Sequence, residues 1–139
     1  MMEIKKVDVE CIDVFWDKVK NWVKACTIQS QGRHTLSSTY KLLKKGSMEM
    51  FLIVVNKAIA AVYVVQKTFY PAKVVLSILF CGGSKVMDNI KKIENFFIDY
   101  AKEKKCDSVE IIGRKGWNRA IEKNNLKFKQ TGFFYEVAT

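Results

Sequence analysis

Gly82, Gly83, Ser84 and Lys85 follow one another between an apolar run that ends at Cys81 and a helix-like run that starts near residue 88. Backbone amides at a strand-to-helix junction point at whatever sits there, and glycine allows close approach, so the pattern suits a phosphate-bearing ligand. It equally suits a plain turn in which Asp88 caps the helix and competes for the same amides. The segment is not a Walker loop, because GxxxxGK[ST] does not occur. A second stretch, "GRKGW" at 113–117, brackets two cations with glycines. There Arg114 can meet a phosphate or a carboxylate at the carboxyl end of a strand, while Trp117 suits the core.

Three further side chains have proton-transfer or nucleophilic chemistry and stand near these stretches: Glu110, Tyr135 and Cys81. Each also has an ordinary account, as a surface carboxylate, an amphipathic core residue and a small buried hydrophobe respectively. Cys11, Cys26, Cys81 and Cys106 form no CxxC pair, and His34 is the only histidine. Neither a zinc site nor a disulfide framework is indicated, so four free thiols and no metal are expected.

The elements that must position these residues fit one domain of 139 residues, with 49% apolar content. Residues 2–9 alternate as a strand, and Ile12, Phe15, Trp16, Val19 and Val23 recur at helical spacing over 12–26. "TLSSTYKLLKKG" (35–46) reads as a short helix capped by Ser37 or Ser38 and ended by Gly46. Strands over 48–55, 58–68 and 73–81, at hairpin spacing, make an antiparallel meander. A helix over 88–104 with Ile90, Ile93, Phe97, Tyr100 and Ala101 on one face leads to a strand at 107–112. A short helix (116–125) and a last strand (126–138) follow. The fold class is α/β, in the order β-α-α-β-β-β-α-β-α-β, with the strands at 73–81 and 107–112 parallel neighbours.

The formal charge is +10, from 24 Lys and Arg against 14 Asp and Glu. Only Arg33, Arg114 and Arg119 are arginines, and phosphate-clamping surfaces favour arginine, so a Lys-rich solvated surface is the leading account. The apolar runs "MFLIVV" and "AIAAVYVV" are too short to span a bilayer, and "MMEIKKVDVE" lacks the apolar centre of a secretory signal. A cytoplasmic protein without a membrane partner is expected.

The order of elements resembles that of the GNAT N-acetyltransferase superfamily. "IENFFIDYAKEKKCDSVEI" (93–111) is similar to its helix and fifth strand, "RAI" (119–121) to its N-x-RAI-x-x-Y helix, and "LKFKQTGFFYEV" (126–137) takes the place of its closing strand. "FCGG", "KKCDSVEI" and "GRKGWNRAI" together are also similar to small GNAT-like proteins that bacteriophages carry. The resemblance implies acetyl-CoA binding at Cys81, Gly82, Gly83, Ser84, Lys85 and Arg114, and acetylation of an amine. It also implies a Q/R-x-x-G-x-G/A loop, a Glu on the fourth strand and a Tyr after the fifth. Here the loop spacing is absent, Ser77 is the only polar side chain in "KVVLSILFC", and Asn124 or Asn125 falls where the Tyr would be. Glu110 and Tyr135 are the remaining catalytic candidates. The alternative is an inactive GNAT-like module whose basic surface docks on an acidic host or virion protein. Nucleic-acid binding is a third reading, and "FFYEV" pairing across a two-fold would give a homodimer.

Overall fold

The computed structural model describes residues 1–84, 89–112, 116–132 and 135–139, apart from the side chains at 116 and 118. Alternating residues form β1 (Met2–Val7), and a 3₁₀ turn (Val9–Cys11) leads into α1 (Ile12–Ile28). α2 (Leu36–Lys45) begins at Thr35, whose side chain accepts from the Ser38 amide while Ser38 reciprocates, so the cap is Thr35 rather than a serine. Gly46 ends it at φ 80°, as its lack of Cβ permits. β2 (Glu49–Val55) and β3 (Ala58–Phe69) are joined through Asn56 and Lys57, both at positive φ. β4 (Val74–Gly83), α3 (Ile90–Glu103), β5 (Ser108–Ile111) and α4 (Gly116–Lys123) complete the regular structure.

The five strands form one sheet in the order β1-β2-β3-β4-β5. The first three neighbour pairs are antiparallel and β4 with β5 is parallel, the connection between them passing through α3. Period-two alternation divides the apolar side chains between two faces. Met50, Leu52, Val62, Val64 and Phe80 pack with Ile12, Val19 and Val23 of α1 and Leu43 of α2. Phe51, Ile53, Tyr63, Val65, Leu76 and Ile78 pack with Ile93, Phe97 and Tyr100 of α3. Helices therefore cover both faces of the sheet. Phe97 is central to the second layer, with its ring against Phe51, Tyr63 and Phe96. Among the described residues no helix is long and apolar enough to cross a membrane.

The expected last strand is the one departure in element order. Residues 126–132 and 135–139 are in no strand. Two successive amides there are already committed: Leu126 N–H donates to the Ile121 carbonyl, and Lys127 N–H to the Glu94 carboxylate at 2.7 Å. A ladder needs alternate amides on alternate sides, so this tether to α4 and α3 replaces sheet pairing. The Lys91 ammonium adds a bond to the Asn125 carbonyl at 2.9 Å. The homodimer expected through "FFYEV" thus lacks a strand among the described residues, and Phe133 and Phe134 lie outside them.

Phe97→Ala should cost about 3–5 kcal/mol, since a fully buried aromatic leaves a cavity that three neighbouring rings cannot collapse to fill. Chemical denaturation with an unchanged m-value checks this, and a loss below 1 kcal/mol would contradict the packing described.

Candidate functional site

Glu110 is brought opposite Ser77 by the parallel register, which pairs Val75 with Ser108, Leu76 with Val109, Ser77 with Glu110 and Ile78 with Ile111. β4 then runs on to Gly83, and the last bond across among the described residues is Ile112 N–H to the Ile78 carbonyl at 3.4 Å. Among the described residues the parallel ladder therefore ends at Ile78 and Ile111, five residues before the end of β4 at Gly83. A parallel pair that separates at its carboxyl end makes a crevice into which a ligand can insert.

A bulge shapes this opening. Val64 pairs with Phe80 and Val65 with Ile78, so Leu79 is an extra residue on β4. The bulge shifts the alternation by one. Before it, Leu76 and Ile78 face α3 and Ser77 faces away. After it, Phe80 and Gly82 face α1 while Cys81 joins the α3 side. Ser77, Leu79 and Phe80 consequently share the α1–α2 face along the opening.

On that face lies a chain of polar groups. The Ser77 hydroxyl donates to Glu110 Oε2 at 2.7 Å and is 2.8 Å from the Thr68 hydroxyl, and the Tyr70 phenol donates to Oε2 at 3.2 Å. Ser77 is fully buried, so this partnership satisfies a hydroxyl that would otherwise be costly. The negative charge of Glu110 pushes the Tyr70 phenol above its ordinary pKa. A carboxylate absent from β4 itself is thus supplied to its Ser77 position by the neighbouring strand. Sequence reasoning singled out Glu110 but gave no sign of Thr68 and Tyr70, which reach it only through the β3–β4 hairpin.

The two glycines have their own occupants. A Cβ on Gly82 would lie 3.1 Å from Trp22 Cβ and 3.3 Å from the Trp22 carbonyl, so the bare backbone lets α1 cross close above. A Cβ on Gly83, at φ +129°, would lie 2.4 Å from the Ala60 carbonyl oxygen. The Ser84 amide donates to that same oxygen at 2.8 Å. These three positions serve packing and the end of the sheet ladder. Cys81 is half-buried, and its carbonyl accepts from the Cys26 thiol at 3.4 Å. Lys85, Asp88 and Arg114 lie outside the described residues. Tyr135 is 89% exposed on the C-terminal stretch, beside Glu136, which pairs with Arg33 of the loop between α1 and α2.

Beyond the glycines, α3 begins with Ile90, Lys91 and Lys92, has no acid in its first turn, and makes no side-chain cap bond at Asn89. The first amides of a 14-residue helix with two adjoining lysines suit an anion. A recess of about 290 Å³ lined by Lys6, Asp8, Glu10 and Glu49 lies instead against β1, at the opposite edge of the sheet from β5. Among the described residues no group of three or more His, Cys, Asp and Glu could hold a metal ion.

The strand order, the short parallel ladder and the bulge together describe the architecture. The chain has the GNAT fold. It superposes on a predicted acetyltransferase of Clostridium acetobutylicum, solved with acetyl-CoA, with a TM-score of 0.67 at 14% identity, over 99% of this chain and 96% of that one. The ribosomal-protein-alanine N-acetyltransferase of Brucella melitensis biovar Abortus 2308 matches over 100% of both chains, with a TM-score of 0.67 and 11% identity. An aminoglycoside acetyltransferase from an uncultured soil metagenomic sample, in complex with sisomicin, gives 0.67 at 15% identity over 99% and 97%. No protein-family model and no curated protein matches the sequence.

Gly83→Ala should destabilise the GNAT fold by about 2 kcal/mol or more, because the new methyl meets backbone at a φ that side chains rarely adopt. A thermal or denaturant midpoint equal to that of the wild type would show that the strand end is not held as described.

Proposed function

We propose that this protein binds acetyl-CoA, or another acyl-CoA, in the opening between β4 and β5 and transfers the acyl group to an amine. The observation that carries this is the short parallel ladder, which ends at Ile78 and Ile111 just beyond a fixed carboxylate, Glu110, while β4 runs on to Gly83. The fit of the donor rests on the start of α3, where the first amides, with no side-chain cap among the described residues, and Lys92 suit a diphosphate, and on the expected cations Lys85 and Arg114. Support also comes from the shared fold with a protein solved with acetyl-CoA. Gly82, Gly83 and Ser84 serve by shaping the strand end, since their close contacts belong to α1 and β3.

Glu110 sits on the α1–α2 face, where its charge attracts the ammonium form of an acceptor and Ser77 and Tyr70 fix its orientation. The similarity of "FCGG", "KKCDSVEI" and "GRKGWNRAI" to phage GNAT-like proteins supports a phage-encoded protein that acts in the host cytoplasm.

The commitment of Gly82, Gly83 and the Ser84 amide to packing favours one second reading, a binding module on the same fold. Its net charge of +10 then docks on an acidic host or virion protein, with an affinity that falls steeply with salt.

Isothermal titration calorimetry with acetyl-CoA, CoA and ADP decides between them. Micromolar affinity for acetyl-CoA, reduced at least tenfold for ADP, is expected. No heat at millimolar acetyl-CoA would overturn the acyl-transfer reading and leave the binding module.

A further inference from the structure

His34, the sole histidine, lies in the loop between α1 and α2 and faces β4 beside the bulge. Its ring meets Phe80 edge-on, with centroids 5.2 Å apart at 86°. Phe80 follows Leu79 on the same face as Ser77, so Glu110 and His34 stand on either side of the bulge, both on the α1–α2 face of the opening.

The loop is built to hold the ring there. Ser30 Oγ accepts from the His34 amide at 3.0 Å and is 3.2 Å from the His34 carbonyl oxygen, while it donates to the Thr27 carbonyl at 2.7 Å. Gln31 and Gly32 turn the chain at φ 58° and 79°. The ring nitrogens have no hydrogen-bond partner among the described residues, although the side chain is half-buried. An imidazole fixed by its own backbone and by an aromatic edge, with both nitrogens open, has capacity left for a ligand.

We propose that His34 takes the proton from the nucleophile that attacks the acyl group held between β4 and β5. The inference rests on the acyl-transfer reading. In the step, the neutral amine nitrogen bonds to the thioester carbon and the C–S bond breaks with its electron pair going to sulfur. One amine proton passes to a His34 nitrogen, the thiolate takes a proton from solvent, and His34 later returns its own to solvent.

The surroundings keep the ring in its accepting form. Burial pushes the His34 pKa below its ordinary value, and the positive charge of Arg33 adds to this. Arg33 is itself paired with Glu136 at 2.7 Å. Ser30 of the same loop meets the ring's segment with an uncharged hydroxyl, and β4 meets it through Phe80. Protonation is disfavoured in the folded protein, so the neutral ring persists at pH 7 and is lost only as the pH falls below the usual histidine range.

A single histidine gives a single imidazole signal in proton–carbon NMR. Titration with acetyl-CoA should move that signal together with β4 amides and change the His34 pKa. Shifts in β4 amides with an unmoved imidazole would overturn the role of His34 while leaving acyl-CoA binding intact. No shift anywhere would overturn both. With glycinamide as the probe nucleophile, thiol release from acetyl-CoA should fall at least tenfold in His34→Gln and lose the wild-type rise through the NMR-measured pKa. A wild-type rate no faster than that of His34→Gln at every pH overturns the proposal, and unchanged amide shifts on β1 and β2 in the variant, away from the Phe80 contact, separate loss of chemistry from loss of fold.

Discussion

The extra residue in β4 is the constraint from which the rest of the site follows. Leu79 opposes nothing on β3, and from that point the strand presents reversed faces to the two helical layers. Had the alternation continued unbroken, Phe80 would have pointed at α3 and Cys81 at α1, and the glycine that α1 needs beneath Trp22 would have fallen on the wrong side. The bulge lies one residue past the last parallel pair, so it coincides with the end of hydrogen bonding to β5. A short parallel register, a bulge and a glycine-lined strand end thus form a single device. α1 holds it from one side and α3 from the other.

Two anchors keep that device in place. On one face, α1 and α2 close over Met50, Leu52, Val62 and Val64, and their loop is knotted by Ser30. On the other, the aromatic group Phe51, Tyr63, Phe96, Phe97 and Tyr100 fixes α3, whose far end is tied to β2 and β1 by the Tyr100–Glu49–Lys6 chain. Fixing α3 at both its core face and its C-terminal end sets where its first turn lies. The direction of its first amides is therefore decided by hydrophobic packing some distance away.

The sequence made the scaffold legible wherever periodicity was strong. Helical spacing from Ile12 to Val23 and from Ile90 to Ala101, and the apolar runs of β2, β3 and β4, correspond to elements within a few residues. The last strand was misread because Leu126, Phe128 and Val137 mimic alternation, while the competing bonds from Glu94 and the end of α4 are invisible to a periodicity argument. At the site, Gly82 and Gly83 announced themselves, yet their type could not distinguish a ligand's approach from that of Trp22 and Ala60. His34 carried no local motif at all. Only the fold brings residue 34 to residue 80, so a lone histidine in a polar stretch gave no signal beyond its rarity.

Because its own helix and strand neighbours occupy the space around Gly82 and Gly83, the end of β4 behaves as a fixed point on which the chain cannot readily improvise. Room for change around the opening is thereby left to the segments on either side, the α1–α2 loop and the first turn of α3. Such an arrangement separates the framework, which tolerates little change, from its rim, which tolerates more. It also gives a physical reason why chains sharing this architecture retain so little common sequence, 11–15% among those compared.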